Sequence, residues 1–224
     1  MKNRNPFRYF KTSPEIIRLA VMMYIRFPLS LRNVEGLLHE RGVDICHETV
    51  RYWWNRFGPM FAREIRKKRH HPSPNYSGWR WHLDEVFVKI NGETHFLWRA
   101  VDHEGEVLEA LVFLKKIMKR YGRPHAIVTD RLRSYRAAMK LIGNDKVQEV
   151  GRWLNDRCEN SHLPFRRREH AMLRFRHMRS LQKFISIHAS IYNHFNKERH
   201  LNSRDTFKVQ RETALVEWQQ LCAA

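Results

Sequence analysis

The sequence predicts a mixed α/β protein in which an all-α segment precedes a domain built on a β-sheet. Three observations lead to this class. Apolar residues recur at helical spacing through the first sixty or so positions, alternating β-rich residues at 81–102 flank an Asn-Gly turn signal, and a short apolar run at 126–130 precedes a long basic stretch of helical character. A chain of 224 residues is long enough to bury a substantial core.

The first third of the chain is predicted to contain three helices. Pro14 stands at the start of the first helix, Ser30 is a favourable N-cap for the second, and Gly42 is a natural stop for that helix. Helical spacing resumes at 47–57, and Gly58-Pro59 is predicted to end the third helix.

Two short helices joined by a glycine-containing turn, after a supporting helix, form the helix-turn-helix pattern. In that pattern the second helix enters the major groove of DNA. The residues predicted to face outward on it belong to types that read base edges or bind phosphates: Glu48, Thr49, Arg51, Tyr52, Asn55 and Arg56. An ordinary helical hairpin inside a bundle is the alternative interpretation.

The positive charge of the chain points to a polyanionic partner. Lys and Arg number 42 against 23 acidic residues, which gives a formal net charge of +19. Basic residues cluster at 63–69, 115–123, 131–136 and 166–179. Any single cluster is explained equally well by a solvated helix face, but four of them with interleaved aromatic residues favour nucleic acid as the partner.

Other features of the sequence limit where the protein acts. No apolar run approaches the roughly 20 residues of a membrane helix, and no segment combines a basic face with a broad apolar one, so a membrane partner is not expected. The first residues lack an apolar secretory segment. Cys46, Cys158 and Cys222 lie far apart in the sequence, which is not the pattern of a disulfide scaffold. We therefore expect a cytoplasmic protein with reduced thiols.

These patterns give a predicted domain organisation. Residues 1–62 form the helix-turn-helix domain, and residues 63–80 form a basic linker that Pro72 and Pro74 keep irregular. Residues 81–179 are predicted to form the domain that contains the β-sheet, and residues 180–224 to form a C-terminal helical region.

Three acidic residues in the second domain are candidates for catalysis. Asp84 lies within the first predicted strand, Asp130 ends the apolar strand, and Glu159 opens the later helix. Any one of them alone is most simply the solvated end of an element. Together, carboxylates from separate elements can hold two Mg²⁺ ions, with Mn²⁺ as a substitute, and such a pair supports chemistry at a phosphodiester.

Several segments resemble insertion-sequence transposases of the insertion-sequence-six family. WHLDEVFVKINGETHFLWRAVD (81–102) is similar to their first catalytic segment, VTDRLRSY (128–135) to the second, and NDRCENSHLPFRRRE (155–169) to the third. The helix-turn-helix at 30–57, with its ERGV turn at 40–43, also matches. The resemblance extends from about residue 14 to about residue 215.

The resemblance implies a DNA transposase that moves an insertion sequence by two-metal cleavage and strand transfer. By motif, Asp84, Asp130 and Glu159 correspond to the Asp-Asp-Glu triad of a ribonuclease-H-like fold. Arg166 corresponds to a residue that touches transposon-end DNA. The implied partners are the terminal repeats, target DNA and further copies of the chain.

One segment departs from the family pattern. VLEALV runs into FLKKIMKRYG without the loop that relatives have, which indicates an internal deletion near 110–113. Residues 107–121 are predicted to form one largely continuous helix, with the third strand shortened or lost. Two alternatives to an active transposase therefore remain: a degenerate transposase that only binds DNA, and a metal-dependent nuclease.

Overall fold

The computed structural model describes residues 5–69, 80–102, 107, 124–129, 139–140, 145–151, 156–196 and 202–222. The helices in these ranges are α1 (Pro14–Arg26), α2 (Leu31–His39), α3 (His47–Arg69), α4 (Asp156–Ala171), α5 (Met178–Phe195) and α6 (Arg204–Gln219). The strands are β1 (Arg80–Ile90), β2 (Glu93–Val101), β3 (Ala126–Thr129) and β4 (Gln148–Val150). The predicted mixed α/β class is confirmed. Among the described residues, no helix is long and apolar enough to span a membrane.

The protein divides into two compact units that are not consecutive stretches of chain. The helical unit comprises Met1–His70, Arg166–Arg174 and Ser190–Ala224. The sheet unit comprises His71–Phe165 and Phe175–Ala189. Helices α4 and α5 each contribute residues to both units. The sequence-based boundaries do not anticipate this exchange, because apolar periodicity shows that a helix has a buried face but not what covers that face.

The predicted starts of α1 and α2 are confirmed. Pro14 is the first residue of α1, and the Ser13 hydroxyl accepts a hydrogen bond from the Ile16 N–H. Ser30 caps α2: its hydroxyl accepts from the Asn33 N–H at 3.1 Å, while the Asn33 side chain accepts from the Ser30 N–H at 3.0 Å. This reciprocal pair satisfies two of the N–H groups that a helix start leaves without partners.

The turn after α2 depends on Gly42, as predicted. Gly42 has φ +75°, a left-handed conformation that costs glycine little. The Gly42 N–H donates to the His39 carbonyl at 2.9 Å, and the Val43 N–H donates to the Leu38 carbonyl at 3.0 Å. This pair of bonds is the Schellman arrangement, which ends a helix and reverses the chain. It brings α3 back against α1 and α2.

Helix α3 is longer than the sequence predicts. The expectation that Gly58-Pro59 ends it is wrong, because α3 runs on to Arg69 with Pro59 inside. An interior proline removes one backbone hydrogen bond and costs about 3 kcal/mol. Phe61, Ala62 and Ile65, all buried, continue the apolar face beyond it, and burying a large apolar side chain contributes roughly 1.5–3 kcal/mol. The burial of these side chains therefore outweighs the cost of placing Pro59 inside the helix.

The extension of α3 also changes the predicted linker at 63–80. Residues 63–69 belong to α3, and Arg80 is the first residue of β1. Residues 70–79 lie outside the described part of the chain.

The end of the chain completes the core of the helical unit. The Trp218 side chain on α6 donates to the Arg18 carbonyl at 3.2 Å, and the Arg18 guanidinium donates to the Leu221 carbonyl at 2.8 Å. The Trp218 ring lies 5.2 Å from the Phe61 ring in an edge-to-face arrangement. Residues that the sequence assigns to a separate C-terminal region are thus part of the core beneath α1 and α3.

The sheet has four strands in the order β2-β1-β3-β4. Strands β1 and β2 form an antiparallel hairpin around Asn91 and Gly92, whose φ values of 52° and 88° are those of the predicted two-residue turn. Strand β3 pairs with β1 in parallel, and β4 pairs with β3 in parallel. Strand β1 is therefore an interior strand with a neighbour on each side.

The helix predicted over 107–121 lies outside the described residues, apart from its first position. Val107 forms an isolated antiparallel bridge with Val101 of β2. At that position the chain pairs with a strand instead of beginning a helical turn.

A buried arginine joins α4 to the connection between α1 and α2. Arg168 is 1% exposed, and its guanidinium donates to the carbonyls of Phe27 and Leu29, both at 2.7 Å. Its cationic carbon lies 4.7 Å from the centre of the Tyr24 ring. Burial lowers the pKa of Arg168 to about 10, so the side chain stays charged at neutral pH. The Arg168 guanidinium thus fixes the connection between α1 and α2, which is neither helix nor strand.

We predict that Arg168→Met destabilises the protein, because two backbone carbonyls lose the hydrogen bonds that the buried cation donates. The expected loss is about 2–4 kcal/mol of unfolding free energy, measured from the shift of the urea midpoint by tryptophan fluorescence. Arg167→Met is the matched control, since Arg167 is exposed on the same helix and should change stability by less than about 0.5 kcal/mol. Equal shifts for the two variants would contradict the assignment.

Candidate active site

Asp84 occupies the middle of β1, on the face of the hairpin that is largely buried. Opposite it on β2 stands Arg99, and directly paired residues of an antiparallel ladder project from the same face of the sheet. Val86 and Val88, which share this face, are buried. The Asp84 side chain is 15% exposed, and one of its oxygens accepts the Glu85 N–H at 2.9 Å. A charged carboxylate is thereby held between apolar neighbours and beside a buried arginine.

The first turns of α4 cover this face. Cys158 is fully buried, and its thiol donates to the Arg99 carbonyl at 3.7 Å. Burial raises the pKa of the Cys158 thiol, and the negative charges of Asp84 and Glu159 raise it further. Because Cys158 immediately precedes Glu159, its contact with Arg99 places the start of α4 against the strand pair that bears Asp84.

His162 makes the direct contact between α4 and Asp84. Its Nδ1 lies 3.9 Å from Asp84 Oδ2, and both side chains are largely buried. His162 is three residues after Glu159, so the two side chains lie on one side of α4. The sequence marks His162 only as a neighbour of the triad. The signal that points to it is this helical spacing, combined with the placement of α4 on the sheet.

Asp130, the third predicted acid, lies outside the described residues. Strand β3 ends at Thr129, which is buried and accepts a hydrogen bond from the Gln148 side chain at 2.8 Å. Within the described part of the chain, no three His, Cys, Asp or Glu side chains form a group that could hold a metal ion. The convergence of all three acids stays a prediction.

The donors at this site suit a hard divalent cation. Asp84 and Glu159 offer carboxylate oxygens, the ligands that Mg²⁺ and Mn²⁺ prefer. Cys158 and His162 would suit zinc by type, but the Cys158 thiol is buried and donates to a backbone carbonyl. The residues present therefore fit magnesium better than zinc.

Arg166 lies further along α4, which is one helix from Asp156 to Ala171 despite Pro164. The seven-residue spacing from Glu159 is therefore helical throughout, about two turns. The Arg166 guanidinium pairs with Glu169 at 2.9 Å and is 35% exposed. In the sequence, only the i, i+3 spacing of the two residues indicates this pair. The partly exposed cation is thus partly neutralised within its own helix.

The six residues predicted to read DNA lie in the first turns of α3. Arg51, Tyr52, Asn55 and Arg56 are exposed. Glu48 is exposed and pairs with Arg51 at 3.2 Å. Thr49 is half-buried, and its hydroxyl lies 3.3 Å from the Cys46 thiol. We call these six residues the reading face; five of its members are open to a large partner.

The comparisons with known proteins first give the class of the protein. Residues 78–198 match the protein family described as "DDE domain". This segment includes the interior strand that bears Asp84 and the helix that bears Glu159.

Named relatives then give the family. The transposase for insertion sequence-like element IS431mec of Staphylococcus aureus is 33% identical over 174 residues, which are 70% of this chain and 75% of the relative. The transposase for insertion sequence element IS257 in transposon Tn4003, also from Staphylococcus aureus, is 32% identical over the same shares. An uncharacterized protein of Methanocaldococcus jannaschii is 26% identical over 62% of this chain and 66% of its own.

This chain belongs to the DDE-domain transposases of insertion sequences. The resemblance to the insertion-sequence-six family and the predicted function, DNA transposase, are confirmed.

We predict that the three cysteines differ sharply in reactivity. Cys46 is exposed, and its hydrogen bond with Thr49 lowers the pKa of its thiol, which favours the reactive thiolate. Cys158 and Cys222 are buried. Iodoacetamide should therefore label Cys46 in the native protein and the other two only in denaturant, as mapped by mass spectrometry of peptides. Rapid native labelling of Cys158 would show that α4 does not cover the Asp84 face.

Proposed function

We propose that this transposase cuts and joins DNA at a site formed by Asp84, Asp130 and Glu159. The observation that carries the proposal is the contact between α4 and β1: His162, three residues after Glu159 on α4, has its Nδ1 3.9 Å from Asp84 Oδ2. Asp130 joins them by its motif and by its position directly after Thr129, the end of the strand parallel to β1. The sheet order, with an antiparallel hairpin followed by parallel strands, supports a ribonuclease-H-like fold.

The proposed reaction is phosphodiester exchange without net hydrolysis at the joining step. Water first releases a 3′-hydroxyl at the end of the element. That hydroxyl oxygen then forms a bond to a phosphorus of target DNA, and the bond from this phosphorus to the target 3′-oxygen breaks. Two Mg²⁺ ions, or Mn²⁺, supply the Lewis acidity when bound, held by the three carboxylates.

The protein's own residues prepare the carboxylates for this role. The Glu85 N–H and the His162 ring hold Asp84 from two sides, which restricts the orientations of its carboxylate. Arg99, on the same face, offsets the accumulation of negative charge before a metal binds. Such preorganisation matters because a misplacement near 1 Å can cost about 10²-fold in rate.

Recognition of the element ends is assigned to the reading face of α3. Helices α2 and α3, with the Gly42 turn between them, have the element order of a helix-turn-helix, and the exposed Arg51 and Asn55 can form paired hydrogen bonds with bases. Arg166 is proposed to touch end DNA near the acids, with its Glu169 partner limiting its contribution. Binding of two ends implies self-association of the chain, and the substrate places the protein on the nucleoid in the cytoplasm.

We predict that Asp84→Asn and Glu159→Gln each abolish strand transfer while leaving DNA binding intact. A metal site contributes several kcal/mol to transition-state stabilisation, so the rate should fall by about 10³-fold or more. The assay measures joining of a pre-cut end to a plasmid in Mg²⁺. Glu93→Gln is the control, because Glu93 is highly exposed at the start of β2. Full activity of either site variant would refute the assignment.

If the unaltered chain binds the ends but never joins them, the alternative of a degenerate, DNA-binding protein is correct. The short segment between Val107 and Pro124 is the feature that favours this alternative. The same binding and joining assays therefore decide between the two functions.

We predict that Asn55→Ala weakens binding to the element ends by about 1–3 kcal/mol, a factor of roughly 5–150, with little effect on a random duplex. Lys208→Ala, an exposed change on α6, should leave both affinities near those of the unaltered chain. Fluorescence anisotropy at fixed salt measures the ratio of the affinity for the element ends to the affinity for the random duplex. Point substitution is preferable to deletion of the first sixty residues, because α6 would lose the hydrogen bond from the Trp218 side chain to the Arg18 carbonyl. An unchanged ratio would refute the reading role of α3.

A further inference from the structure

The residues before α1 form a short arm, Asn5–Lys11, that is anchored on α3. Phe7 is buried, and its ring stacks on that of Phe57 with the centres 4.8 Å apart. Phe10 meets the same Phe57 ring edge-on at 5.1 Å. A turn sets the spacing of the two anchors, since the Phe10 N–H donates to the Phe7 carbonyl at 3.0 Å. The arm is therefore a fixed part of the helical unit.

Phe10, the second aromatic ring that anchors the arm on α3, places the arm beside the reading face. The Phe10 ring stacks with that of Tyr52 at 6.1 Å, and the Arg56 guanidinium lies 5.5 Å from the centre of the Phe10 ring. Two members of the reading face thus touch the arm directly. A duplex bound along these α3 residues would have the arm at its border.

The arm residues between and after the anchors point into solvent. Tyr9 is 87% exposed, with the Arg8 guanidinium 5.5 Å from the centre of its ring. Arg8 and Lys11 are exposed as well. A tyrosine so exposed adds almost nothing to a core. Two cations and an aromatic hydroxyl without an acidic residue in the arm are the chemistry that binds phosphate and sugar.

We propose that the arm Asn5–Lys11 is a second DNA-binding element, which contacts the backbone of the duplex next to the base pairs read by α3. Arg8 and Lys11 bind phosphates, and Tyr9 lies against the sugar-phosphate chain. The inference rests on the proposed reading role of α3 and adds an element that the helix-turn-helix pattern does not include. Charge complementarity selects the partner, because Arg51 and Arg56 continue the positive surface of the arm along α3.

The test compares two double variants that each remove two exposed cations from the helical unit. Arg8→Ala/Lys11→Ala alters the arm, and Arg204→Ala/Lys208→Ala alters α6 by the same charge. Each is titrated by anisotropy against a duplex carrying the terminal repeat and against a random duplex, from low to high salt. Losing two phosphate contacts should reduce the salt exponent by about 1.8 and the affinity at 0.1 M salt by about tenfold or more, whereas the α6 variant should stay near the parent.

A crosslinking experiment reports position and is independent of charge. With benzoylphenylalanine at position 9, ultraviolet light should join the protein to the DNA backbone at one side of the terminal repeat, at a fixed place in the sequence. The same group at position 216 of α6, where Val216 is exposed, should give no defined crosslink.

The outcomes separate this inference from the reading role of α3. If Asn55→Ala loses end preference while the arm variant behaves like the α6 variant, the arm does not bind DNA and α3 does. If Asn55→Ala keeps full preference, the reading role itself fails, whatever the arm variant shows. If the arm variant instead loses binding to anionic vesicles and keeps its DNA affinity, the partner is a membrane surface and the proposal is overturned.

Discussion

The candidate site depends on one constraint: Asp84 and Arg99, two residues of opposite charge, are paired across the largely buried face of the β1–β2 hairpin. Both residues belong to one rung of the β1–β2 hairpin and lie on the face that α4 covers. A buried charge is costly unless opposite charge or hydrogen-bond donors surround it. The first turns of α4 bring such polar groups, His162 to the carboxylate and the Cys158 thiol to the Arg99 backbone. The helix that bears Glu159 thus also supplies polar groups to the two strands that hold this pair.

The sequence predicts local structure well wherever one residue type has a specific conformational role. Ser30 caps α2, Gly42 adopts positive φ after it, and Asn91-Gly92 closes the hairpin. Prediction fails where two local signals conflict, as at Pro59, whose cost is small beside the burial of Phe61 and Ile65. It also fails to assign α4 and α5 to the two units. Those outcomes depend on tertiary packing, which periodicity does not reveal.

In the candidate site, too, the sequence predicts contacts that follow from short-range patterns, but it does not predict contacts that depend on how a helix packs on the sheet. Asp84 and Glu159 are visible from their motifs, and the pairing of Asp84 with Arg99 follows from the turn: Ile90 faces Glu93, and equal steps back along both strands bring these two residues together. The contact of His162 with Asp84 requires the placement of α4 on the sheet, which no short-range pattern fixes. The Arg166–Glu169 pair is local and could be read from its spacing.

Net charge alone overstates how many cations are available to DNA. Arg18, Arg99 and Arg168 are buried, and two of them bind backbone carbonyls inside the helical unit. The basic run 166–179, which from sequence reads as a single DNA-facing surface, contains Arg168 in the core and Arg166 in an ion pair. Arginine suits both tasks because its planar group satisfies several acceptors at once and keeps its charge when buried. The cations open to a phosphate backbone in the helical unit include Arg8 and Lys11 of the arm and Arg51 and Arg56 of α3, all of them exposed.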